Sequence, residues 1–362
     1  MSTYLNHLNT SVYKYLQMSL KEYSKLDPKY LFEHVYGGLI GQALGDAFAM
    51  PAYFKPKDTW DFYGGWINDF LPGPSDHPVH AGLAPGEVTD DTQQAMSIIK
   101  EILINKKISV ELAAKAIIGW YDLIDGDHNP HVGPSTRKAC LQLKGGVDPH
   151  ETGVLGDTNG GAMRISPIGL INPGNIQQAI LDSIIVCTPT HFTSVAISGA
   201  CAVAAAIATA LVPDSSIESI VHSAKIGADE GRKHGNPWLG ASISKRIELA
   251  VQIVEKESDV YERILALYDI VGSTLATSES VPSALGIFVL AKGDPMTCAR
   301  YAAALSGDAD TVGAMACAIA GSWKGISSIP TDIRNTIEKV NKDYDFFGTA
   351  KEIVKFIEER NA

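Results

Sequence analysis

Apolar residues recur at helical spacing along most of this 362-residue chain, and that periodicity constrains the fold more than any other feature. Clear runs include residues 93–104, 195–211 and 311–323. Spacings of three and four residues are typical of helices, whereas half-buried strands alternate with a period of two. Because no series of alternating β-branched segments occurs, the sequence predicts an all-α fold, and its length suffices for one large domain or two ordinary ones.

Local signals add detail to this prediction. Gly38, Gly41 and Gly45 recur at three- and four-residue spacing, so a second helix is predicted to approach closely at this face. Pro282 is predicted to lie in the first turn of a helix, where an absent N–H costs little. The stretch at 195–212 is rich in Ala and Ser, which favours a buried central helix over a membrane span.

Composition limits the classes of function. The chain is 45% hydrophobic with a formal net charge of -11, and it has no basic stretch. We therefore expect neither nucleic acid nor membrane as a partner. The N-terminus lacks the basic start and apolar core of a secretory signal. The five cysteines form no Cys-x-x-Cys pair, so reduced thiols and a cytoplasmic location are predicted.

Three segments depart from the helical pattern. Residues 53–87 are rich in Pro, Gly, Asp, His and aromatics, which predicts either a lid or substrate wall or an ordinary surface excursion. Residues 125–135 are predicted to be a second loop that flanks a site. Residues 1–28 are predicted to be an N-terminal extension to a main domain at 29–362. Their Tyr-rich apolar stripe either packs on the protein's own core or recognises a partner.

Two acidic motifs far apart in the sequence predict a shared site: Val88-Thr89-Asp90-Asp91-Thr92 and Ser306-Gly307-Asp308-Ala309-Asp310-Thr311. Each precedes an apolar helical run, so helix capping is the alternative for either motif alone. If the motifs meet, four carboxylates need neutralising, and oxygen-only ligation suits hard divalent cations. Two cations about 3.5–4 Å apart would form a two-metal hydrolytic site.

Two weaker patterns predict a ligand pocket. The Gly160-Gly161 pair, which follows Asn159, offers backbone N–H groups that suit a pyrophosphate, although an ordinary turn is the alternative. His191, which follows Thr190, is either a satisfied structural histidine or a ligand contact.

Together these motifs resemble the ADP-ribosylglycohydrolases, a family that includes the dinitrogenase reductase-activating glycohydrolase. The resemblance covers about residues 33–325. It rests on the order and spacing of the segments 38–47, 89–92, 159–164, 167–169, 190–191, 279–285 and 306–321.

The resemblance implies a compact single-domain, all-α multi-helix bundle with a binuclear Mg²⁺ site, in which Mn²⁺ can substitute. It implies the metal ligands Thr89, Asp90, Asp91, Asp308, Asp310 and Thr311. It also implies an ADP-ribose pocket lined by Asn159, Gly160, Gly161, Met163 and His191. The implied reaction is hydrolysis at ribose C1, which releases ADP-ribose from a modified protein or a small molecule. Asp90 and Asp91 would then be catalytic, because they would orient or deprotonate the attacking water.

The sequence departs from the family pattern at two places. Ser306 and Ala309 replace residues that are usually Gly and Thr, but no implied ligand is lost. The Glu that often follows several residues after Asp46 is absent, which favours arginine-linked over serine-linked ADP-ribose. Two rival functions are hydrolysis of a small N- or O-riboside and an immunity-type role. In the second, the N-terminal extension would bind and occlude an ADP-ribosyltransferase toxin.

Overall fold

A computed structural model describes residues 26–361, so the stripe of the predicted N-terminal extension lies outside the described residues. The division at residue 28 therefore stays a prediction. The helices are α1 (Pro28–Ala49), α2 (Pro56–Tyr63), α3 (Asp90–Asn105), α4 (Val110–Leu123), α5 (Pro134–Lys144), α6 (Pro149–Thr152), α7 (Gly160–Met163), α8 (Ser166–Leu170), α9 (Ile176–Cys187), α10 (Ser194–Ala210), α11 (Ile217–Gly231), α12 (Ile243–Val254), α13 (Val260–Ala266), α14 (Thr277–Leu290), α15 (Pro295–Leu305), α16 (Ala309–Lys324), α17 (Thr331–Val340) and α18 (Phe346–Asn361).

The prediction of an all-α bundle is confirmed. Between residues 26 and 361, β pairing is confined to two isolated bridges. A π-helical turn, Leu267–Val271, continues α13, and a 3₁₀ turn, Ile326–Ser328, follows α16. Every residue of α10 is buried, which confirms the predicted central helix at this apolar stretch. No described helix is both long and apolar enough to cross a membrane.

The close packing of α1 against α16 positions the site. A Cβ added to Gly41 would lie 2.2 Å from the carbonyl oxygen of Cys317. A Cβ added to Gly45 would lie 1.9 Å from the carbonyl oxygen of Gly313. The predicted close approach is thus confirmed, because only a residue without a side chain fits at these crossings. The two helices run antiparallel, so the end of α1 meets the start of α16.

The expected position of Pro282 was wrong. Helix α14 begins at Thr277, and Pro282 lies inside it. A proline cannot donate to the carbonyl one turn earlier, which belongs to Ser278. Arg246 makes up for the missing donor, because its Nη1 donates to the Ser278 oxygen at 2.9 Å. A side chain from α12 therefore makes an interior proline tolerable, and sequence spacing could not reveal that contact.

The irregular segment at 53–87 contains the short helix α2 and then a connection that packs against the end of α1. The side chains of His77 and His80 contact the carbonyl oxygens of Ala52 and Met50 at 3.1 Å and 2.8 Å. The segment is therefore anchored to the bundle. All five cysteines are free and buried, as the composition predicted. The cytoplasmic location stays a prediction.

Candidate active site

The two acidic motifs meet at one cavity. Thr89 and Asp90 lie at the start of α3, while Asp308 and Asp310 lie at the start of α16. A cavity of about 410 Å³ opens between them, and it is lined by Asp90, Asp91, Asp308, Asp310 and Thr311. Thr89 is buried beneath the cavity wall and is not among its lining residues.

Helix capping does not explain these motifs. Thr89 and Asp308 occupy the N-cap positions of α3 and α16, but neither side chain makes a capping hydrogen bond. An N-cap side chain normally accepts a hydrogen bond from the N–H two or three residues later. The oxygen atoms of these side chains are directed to other partners.

Asp46, near the end of α1, organises the first motif. It is fully buried and accepts hydrogen bonds from the N–H and hydroxyl groups of both Thr89 and Thr92. The shortest joins Thr92 Oγ1 to Asp46 Oδ2 at 2.6 Å. Asp46 had no predicted role, although an acidic residue within an apolar helical run was a usable signal.

A chain of buried polar groups orients Asp90. Gln94 Nε2 donates to Asp90 Oδ2 at 2.9 Å. Arg164 Nη1 donates to Gln94 Oε1 at 2.6 Å, and its Nη2 donates to Thr190 Oγ1. Arg164 is 0% exposed, so it cannot contact substrate in this arrangement. It acts through Gln94, whose orientation its guanidinium fixes.

The Asn159 side chain holds the second motif in place. Its Nδ2 donates to Asp308 Oδ2 and lies 3.1 Å from Ser280 Oγ. The backbone of Asp308 is fixed as well, since its N–H donates to the Ser273 oxygen at 2.8 Å. Asn159 also lines the cavity, so it can contact both Asp308 and a molecule bound in the cavity.

Of the remaining predicted pocket residues, some line the cavity and others lie behind its wall. Gly160 and Met163 line the cavity. His191 lies behind Gly160, whose added Cβ would be 2.8 Å from the imidazole ring. It is fully buried, with Thr158 Oγ1 at 3.0 Å and Thr190 Oγ1 at 2.8 Å. Gly161 packs against His191 and Cys187, so direct substrate contacts of Gly161 and His191 stay predictions.

Both irregular segments contribute to the cavity wall. Phe54, Val79 and His80 come from the segment at 53–87, and His131 and Val132 come from the loop at 125–135. The loop at 125–135 was predicted to flank a site, and the segment at 53–87 to be either a lid or substrate wall or a surface excursion. Both border this cavity, and their roles at a functional site stay predictions. His80 was not among the predicted site residues, and its Nε2 lies 3.1 Å from Asp310 Oδ2.

Burial and crowding shift the acidities of this cluster. Burial and the negative charge of Asp310 raise the pKa of Asp90 and the pKa of Asp91 well above the ordinary range. Burial raises the pKa of Asp46 to about 7 and the pKa of Asp308 to about 7. Without a cation, the cluster resists full ionisation.

The pKa values of Asp310 and His80 shift in the directions that favour an ion pair. Burial opposes ionisation of Asp310, but the His80 charge and hydrogen bond leave its pKa lowered. Burial likewise opposes a charged His80, yet Asp310 raises the pKa of His80 to about 9.

The donor set fits hard divalent cations. Asp91 Oδ1 is buried and has no hydrogen-bond partner among the described residues, while Asp91 Oδ2 accepts from Thr89 Oγ1 at 3.2 Å. A buried carboxylate oxygen without a partner is costly unless a cation or water completes its surroundings. No group of three or more His, Cys, Asp or Glu side chains within residues 26–361 is placed so that it could hold a metal ion. Hydroxyl groups and water would therefore complete any coordination sphere.

Comparison with known proteins identifies the family. The family model described as ADP-ribosylglycohydrolase matches residues 27–361. The uncharacterized protein YegU of Escherichia coli K12 is 34% identical, over 91% of this chain and 99% of its own length. A solved chain titled ADP-ribosylglycohydrolase-related protein complex superposes with a TM-score of 0.68 at 22% identity. That match covers 91% of this chain and 99% of the other, and it shows the shared fold.

Two relatives carry functional names. The ADP-ribosylhydrolase ARH3 of Bos taurus is 26% identical, over 83% of this chain and 88% of its own length. The ADP-ribosylarginine hydrolase Tri1 of Pseudomonas putida GB-1 is 23% identical, over 87% of this chain and 76% of its own. Together with the match along nearly the whole sequence, these findings show that the chain belongs to the ADP-ribosylglycohydrolase family, glycohydrolases that act on ADP-ribose linkages.

Proposed function

We propose that this protein is a Mg²⁺-dependent hydrolase that removes ADP-ribose from modified proteins, with arginine-linked ADP-ribose as the preferred substrate. The observation that carries the proposal is the convergence of Asp90, Asp91, Asp308 and Asp310 on one cavity. Membership of the family supports the reaction class.

The proposed ligands of two Mg²⁺ ions are Thr89, Asp90, Asp91, Asp308, Asp310 and Thr311. When bound, the ions would supply charge to hold the ribose hydroxyls and to polarise a water molecule. Mn²⁺ can substitute, since it accepts the same oxygen donors. The buried Oδ1 of Asp91, which has no hydrogen-bond partner within residues 26–361, supports this assignment.

Asp90 and Asp91 are the proposed catalytic residues. Asp91 lines the cavity, and its buried Oδ1 has no hydrogen-bond partner among the described residues. We assign this carboxylate to orient a water or to accept its proton. Asp90 has one oxygen held by Gln94, which leaves its other oxygen in a fixed direction. Such preorganisation places the reacting water before the bond at ribose C1 begins to break.

The segment from Asn159 to Met163 is the proposed ADP-ribose contact. Because Gly160 has no side chain, it leaves room for a pyrophosphate beside the carboxylate cluster. Gly161 and His191 complete this contact region in the proposal, with His191 setting the position of the glycine backbone.

Two observations favour an arginine-linked substrate. One relative is named an ADP-ribosylarginine hydrolase. The residues after Asp46 read Ala47-Phe48-Ala49-Met50 and carry no carboxylate that could serve a serine-linked mechanism. An immunity role against an ADP-ribosyltransferase toxin is compatible with this chemistry, because removing the modification would reverse the toxin's effect.

A substrate panel tests the proposal. Purified protein with Mg²⁺ is incubated with an arginine-ADP-ribosylated peptide, a serine-ADP-ribosylated peptide and a free small-molecule ADP-riboside, and released ADP-ribose is measured. We expect the arginine-linked peptide to react fastest. Asp58→Ala, which removes an exposed acid on α2, is the matched control and should retain activity. Preference for another linkage would refute the arginine assignment, and inactivity on all three would refute the hydrolase proposal.

A further inference from the structure

We propose that His80 is a nitrogen ligand of the divalent cation held at Asp310, so that this centre mixes nitrogen and oxygen donors. The inference rests on the metal site of the proposed function, but it concerns a residue outside the two acidic motifs. His80 lies in the connection between α2 and α3 and reaches the cavity wall from there.

The imidazole of His80 is oriented like a metal ligand. Its Nδ1 lies 2.8 Å from the carbonyl oxygen of Met50. A carbonyl oxygen only accepts, so Nδ1 carries the hydrogen of this bond. The other nitrogen, Nε2, is directed at Asp310. Metal-binding histidines commonly donate the second ring N–H to a backbone carbonyl, which fixes the tautomer and the ring orientation.

The distance between the two donor atoms fits a shared cation. Nε2 of His80 and Oδ2 of Asp310 are 3.1 Å apart. Adjacent ligands of an octahedral ion with bonds of about 2.1 Å lie about 3 Å apart, which follows from the right angle between them. The His80 and Asp310 side chains already face each other at this spacing. Both are about one-tenth exposed, so bulk water competes weakly at this position.

Two further histidines, His77 and His131, lie beside His80. His77 stacks on it with ring centroids 4.8 Å apart and an angle of 5° between the planes. His77 is committed elsewhere, since its Nε2 contacts the Ala52 oxygen and its Nδ1 accepts from the His80 N–H. His131 also lines the cavity and meets His80 edge to face at 6.1 Å. Within residues 26–361, the ion pair between a histidine of this group and a proposed ligand is that of His80 with Asp310.

A nitrogen donor changes the metal preference. Carboxylate and hydroxyl oxygens suit Mg²⁺, whereas imidazole favours transition metals in the Irving–Williams series. We therefore expect calorimetry to show that Mn²⁺ binds at least about tenfold more tightly than Mg²⁺. His80→Phe, which keeps a ring but removes both nitrogens, should bring this ratio close to one. His131→Gln should leave the ratio unchanged.

Pulsed electron paramagnetic resonance of the Mn²⁺-loaded protein tests ligation directly. We expect a histidine nitrogen coupling in the wild type and in His131→Gln, and its loss in His80→Phe and His80→Gln. Circular dichroism identifies any variant that fails to fold, and the wild-type spectrum alone then decides. Absence of the coupling from the wild type, or its persistence in a folded His80 variant, would overturn the inference. Neither measurement uses hydrolysis, so the outcome is separate from that of the substrate panel.

Discussion

Ser306 offers a test of how the second motif is built, because it occupies a backbone conformation that suits glycine. It joins α15 to α16 with φ 64° and ψ -164°. A residue with a side chain stores about 1–3 kcal/mol of strain in this region. Two contacts hold it there: its Oγ lies 2.7 Å from Thr59 Oγ1 on α2, and its carbonyl accepts from Ser273 Oγ at 2.7 Å.

Comparing two substitutions at this position isolates the strain. Ser306→Ala and Ser306→Gly both lose the contact with Thr59, worth about 0.5–1.5 kcal/mol. Only the glycine variant also releases the strain. Glycine loses about 0.4–1 kcal/mol relative to alanine through the greater freedom of its unfolded chain. Subtracting that from about 1–3 kcal/mol of strain leaves Ser306→Gly more stable than Ser306→Ala by about 1 kcal/mol.

Urea unfolding followed by circular dichroism measures this difference, provided that both variants show the same dependence on denaturant. The control is Glu352, an exposed residue inside α18. Glu352→Ala should be more stable than Glu352→Gly by about 1 kcal/mol, which is the ordinary order in a helix. If alanine also equals or exceeds glycine at position 306, Ser306 is not strained and the reasoning fails.

Three further substitutions test the site. Asp308→Ala should abolish detectable hydrolysis and weaken Mg²⁺ binding in calorimetry while leaving the circular dichroism spectrum unchanged; wild-type Mg²⁺ affinity would contradict its role. Arg164→Met frees Gln94 and should lower kcat about tenfold with little change in KM, as expected when the support of a ligand is lost; unchanged kcat would show that Gln94 holds Asp90 unaided. Burial holds the pKa of His191 well below its ordinary value. The unfolded protein therefore binds more protons at His191 than the folded protein does, and the stability that His191 provides is lost as pH falls through about 6.5. The stability difference between wild type and His191→Gln should therefore shrink between pH 7.5 and 5.5 in urea titrations, and a constant difference would refute the assignment.

The parts of the site that sequence analysis predicted are those with local signals. Helical periodicity located α3, α10 and α16, because each presents enough apolar residues to show its period. The aspartates at the start of α3 and α16 were recognisable because each motif directly precedes an apolar helical run. The similar charge and composition of the two motifs indicated a shared site, but neither property gives the distances between the carboxylates.

The missed parts depend on contacts between distant segments. His80 lies in an irregular connection, where no period indicates which side chains turn inward. The link from Arg164 through Gln94 to Asp90 joins α3 to the turn after α7. Residue spacing carries no information about such a link, because its length is set by the packing of several helices. Pro282 was misplaced for a related reason, since its acceptable position depends on Arg246.

The contact of α1 with α16 explains why the two motifs form one centre despite their separation in the sequence. Gly45 precedes Asp46, and Gly313 follows Asp310 by less than one helical turn. Because the backbones touch at these glycines, the Asp46 carboxylate that orients Thr89 is brought beside the start of α16. Any side chain at either glycine would push the helices apart, since protein interiors leave no room for an added methyl group at 1.9 Å. The glycines therefore set the spacing of the carboxylates, although neither glycine has a functional group of its own.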